Sequence, residues 1–331
     1  MLHGWLILDK PLGLGSTQGV AAVKRALRTA GLPKAKVGHG GTLDPLATGV
    51  LPIAIGEATK LAGRMLDGDK VYDFTIRFGE QTDTLDAEGK VVATSDVRPT
   101  LAAVEAMLAR FTGPIAQVPP AYSALKVDGQ RAYDLARAGE EVTLATRAVT
   151  VHALSILPGT GRGTAGEAGG GGGVPRSATL EEAPLHQPAA GPPPHTGEDS
   201  VSLTAHVSKG TYIRSLARDI AVALGTVGHV TYLRRTKAGP FALPQAISLD
   251  ILDEAAKART LEYHLLPLSA ALDDIPALAL TPDQAGALRQ GRVLAGIAAD
   301  AGQALARLDD VPVALVEIED GNVRVVRGFN L

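Results

Sequence analysis

The 331-residue chain contains no cysteine. Disulfides, thiolate metal sites and cysteine nucleophiles are therefore excluded, and the lack of disulfides fits a reducing compartment such as the cytoplasm. No secretory h-region follows Met1, and no apolar run approaches the ~18 residues that a membrane-spanning helix needs. A strong overall charge is missing too. The formal net charge is -3, with 45% hydrophobic and 20% charged residues, an ordinary globular composition. Several catalytic signatures are absent. "GLGSTQG" is neither a Walker loop nor a dinucleotide fingerprint with its acid at the proper distance, and there is no G-x-S-x-G elbow. His39, His152, His206 and His229 are scattered without ligand spacing, so no metal is expected.

Charge is informative in its distribution. From Lys10 to Leu43 there is no acidic residue, while Lys24, Arg25, Arg28, Lys34 and Lys36 are basic. A second stretch carries Lys209, Arg214, Arg218, Arg234, Arg235 and Lys237 against the single acid Asp219. Two such segments suit a phosphate-binding surface, although charge alone favours basic residues that simply solvate helix faces.

Along the chain, "GWLILDK" (4 to 10) reads as a strand entering a "KPLGLGS" turn, with Ser16 or Thr17 capping a helix to about Ala30. Glu57 to Leu66 reads as helical, "KVYDFTIRFGEQTDTLDAEG" as a strand ending in polar turns, and Pro99 to Arg110 as an amphipathic helix with Thr100, Leu101, Val104 and Leu108 in register. A Pro-rich loop with a short helix around Tyr133 and a strand at Val149 to Leu157 follow. Residues 158 to 200 then hold "GGGGG" and "GPPP" with no aromatic residue, the composition of a flexible insertion. "SVSLTAHVS" resumes as a strand alternating Val201, Leu203, Ala205 and Val207, so the insertion reads as an overgrown hairpin connection. A helix over 211 to 224, a strand in "GHVTYLRRT", short helices beyond Asp250 and a hairpin around Asp320-Gly321 complete the pass. Strands and helices mix without a βαβ rhythm, which favours α+β.

The chemistry-bearing stretch is "GHGGTLDPLATGVLPIAIG" (38 to 56). Pro45 fixes its own φ and pushes Asp44 towards an extended backbone, while the glycines allow turns and close approach. One carboxylate is thus presented on a stiff loop before a buried strand. Aspartate, with a reference pKa near ~3.9, can attack carbon without a base, but it also caps turns routinely. In "SKGTYIRSLARDIA", Tyr212 and Arg214 stand two apart at a strand-to-helix junction, where a ring can stack on a base and a guanidinium can clamp an anion. Tyr72 is a third candidate.

Taken together, "LDKPLGLGST", "VGHGGTLDPLATGVLPIAIGEATKL", "KVYDFTIRFGEQTDTLDAEG", "VPPAYSALKVDGQRAYDLAR", "VSKGTYIRSLARDIA" and "YLRRTKAGPF" closely resemble the TruB-type tRNA pseudouridine synthases, in the family's order and over most of residues 4 to 250. The resemblance implies an α+β pseudouridine synthase fold with a central mixed, mostly antiparallel sheet. It divides the chain into a catalytic domain (1 to 250, with the insertion at 158 to 200), connecting helices (251 to 274) and a PUA-like RNA-binding module (275 to 331). It implies isomerisation of uridine-55 in the tRNA T arm to pseudouridine, with no cofactor or metal, by a monomer in the cytoplasm. Asp44 falls on the essential catalytic aspartate, whether it adds to the base, attacks C1′ or removes a C2′ proton. Tyr72 matches the tyrosine that stacks on the flipped base, Tyr212 the one placed for proton transfer at C5, and Arg214 the arginine that pairs with the carboxylate. His39, Lys10, Leu233, Arg234 and Lys209 are the candidate substrate- and RNA-binding residues, Lys10 within a motif beside the site. The segment around Tyr133 becomes a thumb closing over the T loop. Val207 stands where many relatives carry cysteine, and the insertion is longer than usual. Two other readings remain in view. A non-catalytic RNA-binding protein would have no need of Asp44, and the catalytic subunit of a guide-RNA ribonucleoprotein shares the Asp loop but carries long basic tails that this chain lacks.

Overall fold

The structure is a computed structural model that describes residues 2–123, 125–127, 129–140, 142–157 and 199–331. The fold is α+β. Contacts divide it into two units, one of Met1–Tyr72, His206–Thr211 and Leu233–Leu331, the other of Asp73–Ala205 and Tyr212–Tyr232. The chain passes from one to the other inside the strands Lys70–Phe78, Ser200–Val207 and Gly228–Ala238.

In the first unit Gly4–Lys10 runs antiparallel to Thr48–Ile55, from Gly4 opposite Ile55 to Lys10 opposite Gly49. Val37–His39 is also antiparallel to Thr48–Ile55, whereas Arg234 and Arg235 meet Thr48 and Gly49 in parallel. From Val50 to Ile55 every side chain is buried, as expected of a strand covered on both faces. The helix Ser16–Thr29 covers one face with Val20, Val23, Ala26 and Leu27. Gly19 lets it come close, because a Cβ there would meet Leu8 and Leu51 side-chain carbons at 3.2 Å. Ser16 is not this helix's cap. Gly15 precedes the first turn, its N–H donating to the Gln18 side chain, and the Ser16 hydroxyl is used elsewhere.

The C-terminal part of this unit is a four-stranded sheet in the order Ala277–Ala279, Gly302–Leu308, Val311–Glu319, Asn322–Gly328. Asp320 and Gly321 both have positive φ (50° and 72°), the backbone of a primed two-residue turn, so the Asp-Gly hairpin forms where its turn chemistry points. This sheet has its own core around Leu288, Val313 and Val323. Leu305, Leu315 and Phe329 belong to another cluster, shared with Trp5, Ile7, Val50 and Phe241. There the Trp5 and Phe241 rings lie 5.3 Å apart and the Trp5 indole N–H donates to the Leu268 carbonyl.

In the second unit the strands follow the order Lys70–Phe78, Ser200–Val207, Arg147–Ile156, Gly113–Gln117. The helix Leu101–Leu108 starts later than the periodicity suggests. Thr100 is its N-cap, accepting the Ala103 N–H, and only Val104 and Leu108 are buried, leaving Leu101 on the solvent side. Val201, Leu203 and Ala205 are buried as their alternation requires. Among the described residues no helix is long and apolar enough to cross a membrane.

Residues 158–198 of the expected insertion lie outside the described residues, but the residues on either side of them meet. The Leu157 N–H donates to the Ser202 carbonyl, and Asp199 accepts from the Phe78 N–H and from the Arg98 guanidinium. The Leu157–Ser202 bond spans the hairpin base, while Asp199 is held by the strand on its other side and by Arg98. Closing a shorter loop costs less entropy, about 0.6 kcal/mol less for each halving of length. Replacing residues 159–198 with a short Gly/Asn turn is therefore expected to leave the thermal midpoint unchanged or raised. A lowered midpoint by calorimetry would show that the segment contributes to folding.

Candidate active site

The backbone around Asp44 is held at several points. The Ala47 N–H donates to the Asp44 carbonyl and closes a turn over Pro45 and Leu46. The Ser16 hydroxyl donates to the Leu43 carbonyl and accepts the Leu43 N–H, at 3.0 and 2.8 Å. Lys10 is fully buried, its ammonium on the carbonyls of Pro11, Leu14 and Pro45. The Pro45 carbonyl also takes the Gly13 N–H, so the turn at residues 11–15 and the Asp44 loop are tied together. Arg235, 1% exposed, reaches across with its guanidinium: Nε donates to Val50 O at 2.8 Å, Nη1 to Thr42 O at 3.3 Å and Nη2 to Gly41 O at 3.2 Å.

Two glycines lie beside this clamp, Gly49 required by a close strand approach and Gly41 by its own positive φ. At Gly49 φ is +98° and a Cβ would lie 2.2 Å from the Arg235 carbonyl, so the parallel approach of the strand Gly228–Ala238 requires glycine. At Gly41 φ is +139° and a Cβ would sit 3.5 Å from an Arg235 nitrogen. Arg234, one residue earlier on the strand, faces the opposite way. It makes a two-pronged ion pair with Asp9 (3.1 and 2.9 Å) and touches the Thr48 hydroxyl at 3.3 Å. Asp44 itself is partly exposed above this framework.

His39 is half-buried, and among the described residues its Nδ1 has no hydrogen-bond partner. Burial pushes its pKa down from 6.5, and the Arg235 charge acts in the same direction, so the ring is neutral at pH 7. Lys70 is buried two residues before the half-buried Tyr72, its ammonium donating to the carbonyls of Leu66 and Gly68. Burial, assisted by Arg235, lowers its pKa to about 8. Leu233 is buried, and Lys209 lies on the surface, 2.9 Å from Asp67, whose pKa it lowers by hydrogen bonding.

In the second unit Tyr212 is the residue before the helix Ile213–Ala223. Its backbone is fixed at both ends by Gln117, which accepts from the Tyr212 N–H at 2.8 Å and donates to its carbonyl at 3.1 Å. Arg214 is buried. It donates to the carbonyls of Thr84 (2.8 Å) and Tyr122 (3.0 Å) and lies 3.3 Å from the Asp86 carboxylate. Asp86 accepts in addition from the Thr84 hydroxyl and the Glu88 N–H. Between Thr84 and Asp86, Leu85 holds a left-handed backbone (φ +62°), unusual for leucine and costing on the order of 1 kcal/mol. Its carbonyl accepts the Val230 N–H.

The residues that the sequence singled out therefore have two kinds of place. Asp44, His39, Tyr72 and Lys209 reach the surface wholly or in part, while Lys10, Arg214, Leu233 and Arg234 are buried. Lys10 and Arg234 spend their charge on carbonyls and on Asp9, holding the framework and not facing solvent. Half of the second basic stretch is internal, since Arg214, Arg234 and Arg235 are buried while Lys209 and Lys237 are exposed, whereas the five cations of the first are all exposed. Asp86 and Arg235 were missed. "TDTLDAEG" gave polar turn chemistry but no hint that one of its acids turns inward, and nothing in "LRRT" says which arginine reaches the Asp44 loop.

The family described as "TruB family pseudouridylate synthase (N terminal domain)" matches residues 24–165, and "tRNA pseudouridylate synthase B C-terminal domain" matches residues 214–273. The chain is similar to the tRNA pseudouridine synthase B of Novosphingobium aromaticivorans, 62% identical over 331 residues that span 100% of this chain and 98% of that protein. It is 55% identical to the tRNA pseudouridine synthase B of Zymomonas mobilis, over 99% of this chain and 96% of that one. Among solved structures it shares its fold with a chain of an H/ACA RNP bound to a substrate RNA containing 2'-deoxyuridine (TM-score 0.66, 23% identity, 99% of this chain and 85% of that chain). A chain of the archaeal box H/ACA sRNP Nop10-Cbf5 complex is comparable (TM-score 0.65, 23% identity, 99% and 86%).

Two outcomes follow from this geometry. Arg235→Leu strands three carbonyls, at a cost on the order of 3 kcal/mol in urea unfolding. Hydrogen exchange over residues 41–49 should accelerate more than over the helix Leu249–Ala258; equal acceleration would mean that Arg235 supports the fold generally. His39 titrates lower when folded than unfolded, so its contribution is intact above the unfolded value of 6.5 and is lost as pH falls from there through the lowered folded value. The stability of His39→Gln should consequently fall less than that of wild type between neutral pH and pH ~5.

Proposed function

The chain belongs to the TruB family of pseudouridylate synthases and is an isomerase that forms pseudouridine in tRNA; from that premise we propose that its target is uridine-55 of the T arm and that Asp44 is the essential carboxylate. It acts, in this reading, as a cytoplasmic monomer that recognises the T stem-loop. The observation that carries the assignment of Asp44 is the clamp beneath it, in which Ser16, Lys10 and Arg235 bind the carbonyls of Leu43, Pro45, Thr42 and Gly41. A turn-capping aspartate needs no such support, whereas a carboxylate that must meet one atom of a ribose or base does.

The reaction breaks the N1–C1′ bond, turns the uracil and forms a C5–C1′ bond, N1 gaining a proton and C5 losing one. Each route for Asp44, by adduct at the base, attack at C1′ or abstraction at C2′, needs a fixed carboxylate beside an extruded nucleotide. Extrusion costs a few kcal/mol, and stacking on Tyr72 returns roughly 1–3 kcal/mol. Tyr212, its backbone locked by Gln117, is assigned the proton at C5. Arg214 is assigned the pairing of the catalytic carboxylate, its own position set by Asp86. The neutral, half-buried His39 suits contact with uncharged parts of the flipped nucleotide.

The decisive measurement uses an unmodified tRNA transcript carrying tritium at uracil C5. Wild type should release one tritium per tRNA, and Asp44→Asn should release none while still binding; release by Asp44→Asn would remove the carboxylate from the mechanism. Binding without release by wild type would favour a non-catalytic RNA-binding protein. Tyr72→Phe should keep most of the activity and Tyr72→Ala lose it severely, and equal losses would discard stacking.

A further inference from the structure

We propose that a basic groove outside the uridine site is a second point of attachment for tRNA, tracking the phosphates of a helical stem. This rests on the reading of the chain as a tRNA-modifying enzyme and adds to it where the rest of the molecule is gripped. The groove encloses about 910 Å³ between the C-terminal half of the helix Ser16–Thr29, residues 32–38, and Thr59 and Ala62. Lys24, Arg28, Lys34 and Lys36 line it, over a floor that includes Leu27, Leu32 and Val37, and no carboxylate lies among the lining residues.

The charge here is concentrated and uncompensated. Lys24 and Arg28 are four apart on the helix and share a face, an arrangement that costs an isolated helix about 0.2–0.5 kcal/mol. All four cations are exposed, and among the described residues none pairs with an acid. A merely solvated face commonly intersperses both signs. Unpaired cations over an apolar floor suit phosphates with sugar faces between them.

The groove is also coupled rigidly to Asp44. Lys36 leads directly into the strand Val37–His39, its carbonyl accepting the Gly56 N–H at 2.8 Å, and that strand pairs residue by residue with Ile55, Ala54 and Ile53. His39 is three residues on from Lys36 along the extended chain, a reach of about 10 Å. A stem held in the groove thus stands at a set distance from the loop that bears the carboxylate. That continuity favours RNA over an acidic protein, which would have no reason to sit beside the Asp44 loop.

The test replaces the four cations together (Lys24→Gln, Arg28→Gln, Lys34→Gln, Lys36→Gln) and measures binding of full-length tRNA across about 50–200 mM salt, alongside tritium release. The expected result is a Kd raised at least tenfold, turnover at saturating tRNA retained, and a salt slope flattened by roughly 0.9 for each phosphate that is no longer neutralised. If circular dichroism shows damage to the helix, Lys34→Gln with Lys36→Gln, outside any helix, takes its place and should show part of the same weakening. Unchanged affinity and slope in a folded variant would overturn the proposal and leave the groove to an anionic partner of another class. Absence of tritium release from wild type would instead defeat the functional reading, whatever the groove does.

Discussion

The first unit depends on two cations taken out of water to hold carbonyl oxygens. Burying an ammonium and a guanidinium costs several kcal/mol per ion after relaxation, and each offsets that cost with three charge-assisted hydrogen bonds to the backbone. The geometry is selective because the carbonyls belong to the turn at residues 11–15, the Asp44 loop and the first residue of the apolar strand. Neither cation can leave without stranding three backbone acceptors, and each ties the Asp44 loop to a neighbouring segment. A loop that is polar, glycine-rich and exposed at its tip is thereby made as rigid as a strand.

The same device recurs around Arg214 with different parts. There a buried guanidinium takes two carbonyls and one carboxylate, and the loop that supplies the Thr84 carbonyl and the Asp86 carboxylate includes a leucine in left-handed conformation. The strain at Leu85 is tolerated because Asp86 and Thr84 on either side are fixed by Arg214 and by each other, while the Leu85 carbonyl is used by Val230. In the first unit the candidate carboxylate is carried by backbone that a buried arginine holds, whereas in the second the buried arginine is itself a candidate and Gln117 holds the Tyr212 backbone. Arginine suits this work because its charge persists when desolvated and its five donors point in set directions.

Much of the fold was legible because local rules decide it. The strand 4–10, the alternation in Ser200–Val207 and the Asp320-Gly321 hairpin follow from period and turn chemistry alone. Where structure and local pattern part, a side-chain hydrogen bond decides, distant at Ser16 and local at Thr100. Ser16 has cap chemistry, but its hydroxyl serves Leu43, 27 residues away, and Gly15 takes the cap. Thr100 sits on the amphipathic wheel of its helix, yet it ends the helix as the cap, which turns Leu101 outward. The candidate site was legible to the extent that its motif includes exposed or half-exposed groups, such as Asp44, His39 and Tyr72. Its supports were not, because Arg234 and Arg235 are adjacent and alike, and only the parallel register with Thr48 and Gly49 separates their roles.

That register also determines how far the C-terminal module is separate. Its hairpin and small core suggest an independent body from about residue 275, and the sheet does begin there. The cores are not divided in the same place. Leu305, Leu315 and Phe329 lie in one cluster with Trp5, Ile7 and Val50, the last of which gives its carbonyl to Arg235. Lys60 donates to the Gly328 carbonyl, and the Asn330 N–H donates to Glu57, two residues past the strand that leaves the Asp44 loop. Burying these side chains against one another yields on the order of 1.5–3 kcal/mol each, a large fraction of the few kcal/mol that hold a domain folded. Part of the last strands therefore belongs, energetically, to the platform that holds Asp44: one core crosses the boundary at 275, while a second lies wholly beyond it.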